Sequence, residues 1–238
     1  MAFDRTFPRG PAGAVAGVPG DSTTFYFGSM NGGIWKTTDA GVVWTPIFDG
    51  HPVASIGALA VAPSDPKIIY AGTGESDIRE DLSSGDGVYR STDGGATWNH
   101  IGLEDTRQIS RIVIDPQNPN VLYVGAQGHA FGPNEQRGIY KTVDVGGHWT
   151  RVLDLLPEIG ISDLAMASSD PQLLFAGAWH VQRPPCSASW RNSTNACMRP
   201  TLLPSQSLKS SARSNRWYHA SRAKRVDAEL SALEIPPE

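Results

Sequence analysis

Three aspartates recur in the sequence within one local pattern, Ser/Thr-x-Asp-x-Gly-x-x-Trp. The pattern occupies residues 37–44, 91–98 and 142–149, and we call these segments the Asp turns. A repeated carboxylate could act in acid–base catalysis or bind a metal ion. The alternative is that it accepts hydrogen bonds from turn N–H groups while glycine adopts a positive φ. Folding requirements recur in every repeat whereas an active site rarely does. The pattern therefore favours a structural role for Asp39, Gly41, Trp44, Asp93, Gly95, Trp98, Asp144, Gly146 and Trp149.

A second group of polar residues lies in the longer connections between apolar segments. Carboxylates, imidazoles, guanidinium groups and an indole together suit a groove that binds carbohydrate or peptide, and loops on a rigid scaffold often carry such sites. The alternative is a solvated rim of salt-bridged side chains. The candidate binding residues are Glu75, Asp77, Arg79, Glu80, Asp81, His129, Glu135, Arg137, Trp179 and His180.

Four of these carboxylates, in the segment 75–81, would also allow calcium binding, because calcium takes oxygen ligands. They are Glu75, Asp77, Glu80 and Asp81, and their spacing matches no EF-hand loop. We therefore expect no cofactor and no metal site, with calcium as the alternative. No Gly-x-Ser-x-Gly elbow, His-Glu-x-x-His pair or phosphate-binding loop is present in the sequence, so we predict no catalytic residue.

The elements that must position these residues repeat about every 52 residues. The apolar segment 56–63 matches 109–116 and 161–168, and each is followed by a second apolar segment, at 67–72, 121–125 and 173–177. A third strand precedes each Asp turn and a fourth follows it. We label the four strands A to D. A four-stranded unit of this length with an aromatic turn signature is typical of a β-propeller blade.

The predicted fold class is therefore all-β, a partial β-propeller of about three and a half four-stranded blades. The expected blades span 12–47, 55–101 and 108–153, with a half blade at 161–178, so that residues 1–182 form an incomplete propeller. In a blade, the A–B and C–D turns lie at one end and the B–C and D–A connections at the other. The Asp turns should then lie at one end of the sheets and the candidate binding residues at the other end, which we call the loop face.

Composition supports a turn-rich chain and excludes several classes of protein. The 25 glycines and 18 prolines argue against a helical bundle. No apolar run is long enough for a transmembrane helix, and the first ten residues lack the apolar core of a signal peptide. The net charge of −4 does not favour nucleic acid as a partner.

The composition changes at residue 183. All glycines lie between Gly10 and Gly177, and both cysteines, Cys186 and Cys197, lie beyond this point. Residues 183–238 are therefore predicted to form a non-propeller tail, either the product of a shifted reading frame or a natural disordered segment. A basic nucleic-acid-binding arm is the less favoured alternative.

The three Asp turns resemble the Asp boxes, or bacterial neuraminidase repeats, of sialidases, xyloglucanases and sortilin-type receptors. The segments Phe25–Asp39 and Gly128–Glu135 resemble the early blades of large secreted bacterial proteins of the glycosyl hydrolase or sortilin-like kind. This resemblance implies a carbohydrate or peptide ligand and a secreted or periplasmic location. Because no signal peptide is seen, the location of this chain is left open.

The same resemblance implies that an early Thr-Asp-x-Gly-Gly-x-Tyr/Trp segment of xyloglucanases carries a catalytic aspartate. The matching segment here is Ser29–Trp35, which places Met30 at that position. A thioether cannot transfer a proton, so we predict a truncated binding or scaffold module without activity of its own. The alternatives are a fragment of a xyloglucanase-like or sialidase-like hydrolase and a sortilin-like peptide-binding propeller. The open edges of an incomplete ring lead us to expect missing blades or self-association.

Overall fold

The computed structural model describes residues 10–77 and 82–180 together with the backbone of Leu233–Glu234. Within these residues the chain forms β-strands and one short 3-10 turn at Glu104–Thr106, and no α-helix. The strands are β1 (Ala12–Val18), β2 (Asp21–Ser29), β3 (Gly33–Thr37), β4 (Thr45–Pro46), β5 (Ile56–Ala62), β6 (Asp65–Thr73), β7 (Val88–Ser91), β8 (Asn99–His100), β9 (Ile109–Ile114), β10 (Leu122–Ala126), β11 (Gly138–Thr142), β12 (Thr150–Leu153), β13 (Ile159–Ala167), β14 (Asp170–His180) and β15 (Leu233–Glu234).

The strands form four antiparallel sheets, each built from consecutive strands. Blade one is β1–β4, blade two is β5–β8 and blade three is β9–β12, each in sequential order. Blade four contains β13 and β14, and β15 pairs with β14 opposite Leu173 and Leu174. The predicted all-β fold is thereby confirmed. The remainder of the predicted tail lies outside the described residues.

Strand A is the innermost strand of every blade. The first strand of each sheet contacts the first strand of the next sheet, from β1 through β5 and β9 to β13. Strand A also carries a bulge near its start in all four blades, at Gly13, Gly57, Ser110 and Ser162. A Cβ on Gly13 would lie 2.2 Å from the Ile56 carbonyl oxygen of the next blade, so the inner strands approach closely.

Strand B carries a glycine against which an isoleucine of the following blade packs. A Cβ on Gly28 would lie 2.6 Å from Ile56 Cγ2, and one on Gly72 would lie 2.4 Å from Ile109 Cγ2. Gly125 has the same relationship with Ile161, at 2.8 Å. No side chain fits at these positions, and the absence of one sets the distance between neighbouring sheets.

The core consists of layers between blades rather than one central cluster. Tyr26, Ile56 and Ile69 belong to the layer between blades one and two. Equivalent layers of buried aliphatic and aromatic side chains lie between blades two and three and between blades three and four. Strands that are buried on both sides explain the nearly continuous apolar segments of the sequence.

Candidate functional site

The B–C and D–A connections meet at one end of the sheets, as predicted for the loop face. Gly74 N–H donates to the Ser55 carbonyl at 2.8 Å, and Gln127 N–H donates to the Gln108 carbonyl at 2.9 Å. In both pairs the donor lies in a B–C connection and the acceptor precedes strand A of a blade. These backbone hydrogen bonds hold the loops in fixed positions relative to one another, which is what a preformed binding surface requires.

The Asp turns lie at the opposite end, and their hydrogen bonds are those of a stabilised turn. In blade two, Asp93 Oδ1 accepts hydrogen bonds from Ser91 Oγ at 2.8 Å and Thr97 N–H at 2.9 Å. Ser91 Oγ in turn accepts from Gly95 N–H at 2.8 Å. Asp39 and Asp144 make the corresponding bonds in blades one and three. Each carboxylate therefore accepts hydrogen bonds from groups of its own turn.

These hydrogen bonds favour the ionised carboxylates. The bond from the Thr97 hydroxyl, together with the Thr97 N–H and the Ser91 hydroxyl, lowers the pKa of Asp93 to about 2. The His148 side chain and N–H likewise lower the pKa of Asp144 to about 2. The Val43 N–H and the Thr37 hydroxyl lower the pKa of Asp39. A general acid at neutral pH needs a raised pKa, so these shifts do not suit the Asp turns to that role.

The first candidate loop, in blade two, is held by hydrogen bonds between polar groups. Glu75 is fully buried, its N–H donates to the Ser83 carbonyl at 2.9 Å, and Ser83 N–H donates to Glu75 Oε2 at 3.4 Å. Asn31 Oδ1 accepts hydrogen bonds from Ser83 Oγ at 2.6 Å and Ser55 Oγ at 2.9 Å. Glu75 therefore lies under the surface, whereas Asp77 is exposed. The candidates Arg79, Glu80 and Asp81 lie outside the described residues.

The second candidate loop, in blade three, is organised by Arg137. This side chain is 1 % exposed, and its guanidinium donates to the carbonyl oxygens of Glu158 at 2.5 Å, His129 at 2.9 Å and Gly132 at 3.1 Å. Arg137 thus fixes the loop rather than projecting from it. Burial, with a smaller effect from the charges of Arg137 and Arg107, lowers the pKa of His129 and so favours its neutral imidazole.

The exposed surface of this loop is formed by other residues. Glu135 is exposed, and its backbone carbonyl accepts a hydrogen bond from Arg151 Nη1. Phe131 is 48 % exposed, so part of its ring is accessible to a ligand. It was not among the candidate binding residues, although its position between Gly128 and Gly132 in the same loop was visible in the sequence.

Trp179 and His180 lie at the loop-face end of β14. The backbone of β14 pairs Trp179 with Gly160 and His180 with Ile159 of β13. Trp179 is half-buried and His180 is exposed. A regular strand therefore holds the two side chains at the edge of the loop face, next to blade three.

An aromatic cluster between blades one and two was not predicted. Phe48 stacks on His51 with ring centroids 4.3 Å apart, and Tyr89 contacts both rings edge-on. Tyr89 Oη donates to Asp86 Oδ2 at 2.8 Å, and burial, followed by this hydrogen bond, raises the pKa of Tyr89. His100 Nε2 donates to the Asp86 backbone carbonyl at 2.7 Å. These residues come from two blades, so no local pattern identifies the cluster.

The described part of the chain contains no group of three or more His, Cys, Asp or Glu residues arranged to hold a metal ion. Two of the four carboxylates considered for calcium, Glu80 and Asp81, fall in the segment that the structure leaves undescribed. Residues 10–77 and 82–180 also include no helix with the length and apolar character needed to cross a membrane.

Comparison with known proteins relates the chain to part of larger enzymes. No protein-family profile matches it. It is 28 % identical over 185 residues to a xyloglucanase of Acetivibrio thermocellus, covering 67 % of this chain and 20 % of that protein. It is 28 % identical over 134 residues to a xyloglucanase of Paenibacillus sp., covering 51 % of this chain and 12 % of the relative. The chain thus spans a fifth or less of the length of these relatives.

A solved structure supports the same relationship at the level of fold. The crystal structure of an ancestral GH74 enzyme superposes with a TM-score of 0.58 at 22 % identity, covering 72 % of this chain and 22 % of that one. At this identity the likeness concerns the fold. The chain is therefore similar in sequence to part of xyloglucanases, which are glycoside hydrolases, and shares the β-propeller fold of a GH74 enzyme.

Proposed function

We propose that this chain is a polysaccharide-binding part of a xyloglucanase-like propeller and does not hydrolyse glycosidic bonds by itself. The observation that carries the proposal is the combination of similarity to xyloglucanases with the residue at position 30. Met30 is 2 % exposed and lies directly after β2, at the start of the B–C connection of blade one. The family resemblance assigns a catalytic aspartate to this position, and a buried thioether can neither donate nor accept the proton.

Hydrolysis of a glycosidic bond usually needs two carboxyl groups on either side of that bond. On the described loop face, Glu75 is buried within its own loop and Asp86 accepts the hydrogen bond from Tyr89. Neither carboxylate is presented as a free acid or base. The exposed carboxylates of this face, Asp77 and Glu135, lie in the loops of different blades, so we propose that a longer protein supplies at least one of the two catalytic groups from another blade.

Binding is better supported, because the loop face combines polar groups with the exposed ring of Phe131 and the half-buried ring of Trp179. Phe131 and Trp179 offer ring faces on which the apolar face of a sugar can pack, and Glu135 and His180 offer hydrogen-bonding groups for its hydroxyls. The buried Arg137 holds the Phe131 loop in place before any ligand arrives. Such preorganisation reduces the entropy cost of binding.

The test uses the full chain with xyloglucan in affinity gel electrophoresis and isothermal titration calorimetry, and pullulan as a polymer of different linkage. We expect binding to xyloglucan that Trp179→Ala and Phe131→Ala each weaken about tenfold, equivalent to about 1.4 kcal/mol. Val143→Ala, at an exposed site in an Asp turn, is the matched control and should bind normally. Equal binding of both polymers, or none, would refute the proposal.

A reducing-sugar assay on the same samples tests the second part of the proposal. No sugar release is expected from the chain alone, and release above background would overturn the assignment as a non-hydrolytic module. The sortilin-like alternative predicts binding to extended peptides, which the same calorimetry can detect. Export of the chain, which the family resemblance implies, also stays a prediction.

A further inference from the structure

Blade one carries an apolar face that the other blades bury. Four residues occupy the same place in strand A, because each is paired with the residue that immediately precedes the strand-B glycine: Val15, Leu59, Ile112 and Leu164. Leu59, Ile112 and Leu164 are 8 %, 4 % and 2 % exposed. Val15 is 72 % exposed. The side-chain chemistry is the same in all four blades, and only blade one leaves it in contact with water.

Strand B shows the same contrast. Phe25, Ile69, Leu122 and Leu174 are equivalent in the strand pairing, and the last three are 0 %, 0 % and 2 % exposed. Phe25 is 38 % exposed. We call the surface formed by Val15 and Phe25 the open face of blade one. Large apolar side chains gathered on one surface mark a site of association.

The internal junctions show what such a face packs against. Leu59 and Ile69 of blade two lie in one cluster with Ala16 and Tyr26 of blade one. Leu164 and Leu174 of blade four lie in one cluster with Val113 and Tyr123 of blade three. In each junction the covering residues are a small aliphatic side chain of strand A and the aromatic side chain paired with it in strand B.

Blade four carries an equivalent pair of residues on the face that is turned away from blade three. Ala165 and Phe175 are paired across β13 and β14 as Ala16 is paired with Tyr26, and both are half-buried. No blade follows them within the described residues. We propose that two copies of this chain associate, with the open face of blade one in each copy packed on Ala165 and Phe175 of blade four in the other.

The arrangement follows from the geometry of the blade junction. Each internal junction places the next blade at the same side of the last one, so a second copy continues the fan of sheets. Two copies with four sheets each form a ring of eight sheets, within the usual range of propellers. The ring has two-fold symmetry and buries both open faces at once. Each of its two identical junctions removes about the same apolar area from water.

The experiment measures the mass of the full chain by sedimentation equilibrium. We expect twice the 25.5 kDa of one chain for the unmodified protein. Val15→Glu and Ala165→Lys each place a charge in both junctions of a homodimer and should give monomers. Val143→Glu, at a site that is 61 % exposed in the Asp turn of blade three, should remain dimeric. Far-ultraviolet circular dichroism checks that every variant is folded.

Mixing the two charge variants tests the pairing of blade one with blade four. A mixed dimer of V15E and A165K contains one unmodified junction and one in which the two new charges face each other, so equimolar mixing should restore the dimer mass. A monomeric unmodified chain would overturn the proposal. So would an A165K variant that stays dimeric while V15E dissociates, because blade one would then pack on blade one. Species that grow beyond two copies would exclude the closed ring.

Discussion

The indole N–H of Trp149 donates to the carbonyl oxygen of Ile101 at 2.7 Å and so joins the Asp turn of blade three to the end of strand D in blade two. Trp98 makes the same bond to Ile47, at 2.9 Å, between blades two and one. For Trp44 of blade one, the described residues provide no such acceptor, and its ring contacts Phe27 edge-on. Trp98 and Trp149, in the Asp turns of blades two and three, therefore each connect their blade to the preceding one.

Replacing Trp149 by phenylalanine should lower the free energy of unfolding by about 1–2 kcal/mol, because the Ile101 carbonyl loses its donor and part of the ring volume is lost. Trp44→Phe, which removes no bond between described blades, is the matched control and should cost less than half as much. Urea unfolding at one fixed protein concentration measures both variants. Equal losses would mean that the interblade bond contributes nothing.

The lowered pKa of Asp93 predicts a dependence of stability on pH. The folded-state pKa is about 2, below the ordinary value of 3.8, so the ionised form stabilises the fold. This contribution is complete above about pH 4 and is lost as the pH falls toward about 2. Urea midpoints measured between these limits should fall with decreasing pH.

The Asp93→Asn variant should show a shallower fall, since the amide does not titrate. Thr97→Ala, which removes the hydroxyl that donates to Asp93 Oδ2 at 2.6 Å, should move the acid transition to higher pH. An Asp93→Asn variant with the same slope as the unmodified chain would show that this carboxylate is not linked to folding.

Arg137 should be more important for the structure of the loop face than for direct contact with a ligand. Arg137→Lys retains the charge but cannot reach the carbonyl oxygens of His129, Gly132 and Glu158 together. We expect a loss of about 2–3 kcal/mol in unfolding free energy, and faster amide exchange in residues 127–137. Glu135→Gln, an exposed change in the same loop, should leave both measurements unchanged. Normal exchange in the Arg137 variant would disprove its role as the support of the loop.

Gly72 should tolerate no side chain. In Gly72→Ala the new Cβ would lie 2.4 Å from Ile109 Cγ2 and 2.9 Å from Ile109 Cβ, so blades two and three must separate, at a cost of about 1–3 kcal/mol. Gly17→Ala is the matched control in a strand, because its Cβ would lie 3.5 Å from Phe25, an ordinary contact. Thermal melting compares the two. Equal melting temperatures would show that the blade junction adjusts without loss.

The sequence predicted the features that depend on local pattern. The four strands of a blade follow from alternating apolar segments and turn residues, and the bonds of Asp39, Asp93 and Asp144 lie within five residues of each carboxylate. Such contacts repeat with the pattern, so three copies in one chain are strong evidence for the shared structure.

The loop face was predicted only in part, because its contacts are distant in the chain. Charged residues in a connection are normally expected in solvent, yet Arg137 is buried by carbonyl oxygens as far away as Glu158, and Glu75 is enclosed by its own loop. The contact of Phe48 with Tyr89 joins two blades. These relationships depend on how one sheet is placed on the next, which no single repeat encodes.

In three blades, an isoleucine of the next blade packs against a glycine of strand B, at Gly28, Gly72 and Gly125. This contact has a geometric consequence. The close contact between the glycine and the isoleucine is one of the contacts that determine the distance and angle between neighbouring sheets. A methyl group added at the same position in every repeat would widen that angle by equal steps. The number of sheets that complete a circle should therefore depend on this recurring pair of residues, and substituting the pair throughout the repeat is one way to change the circumference of the assembly.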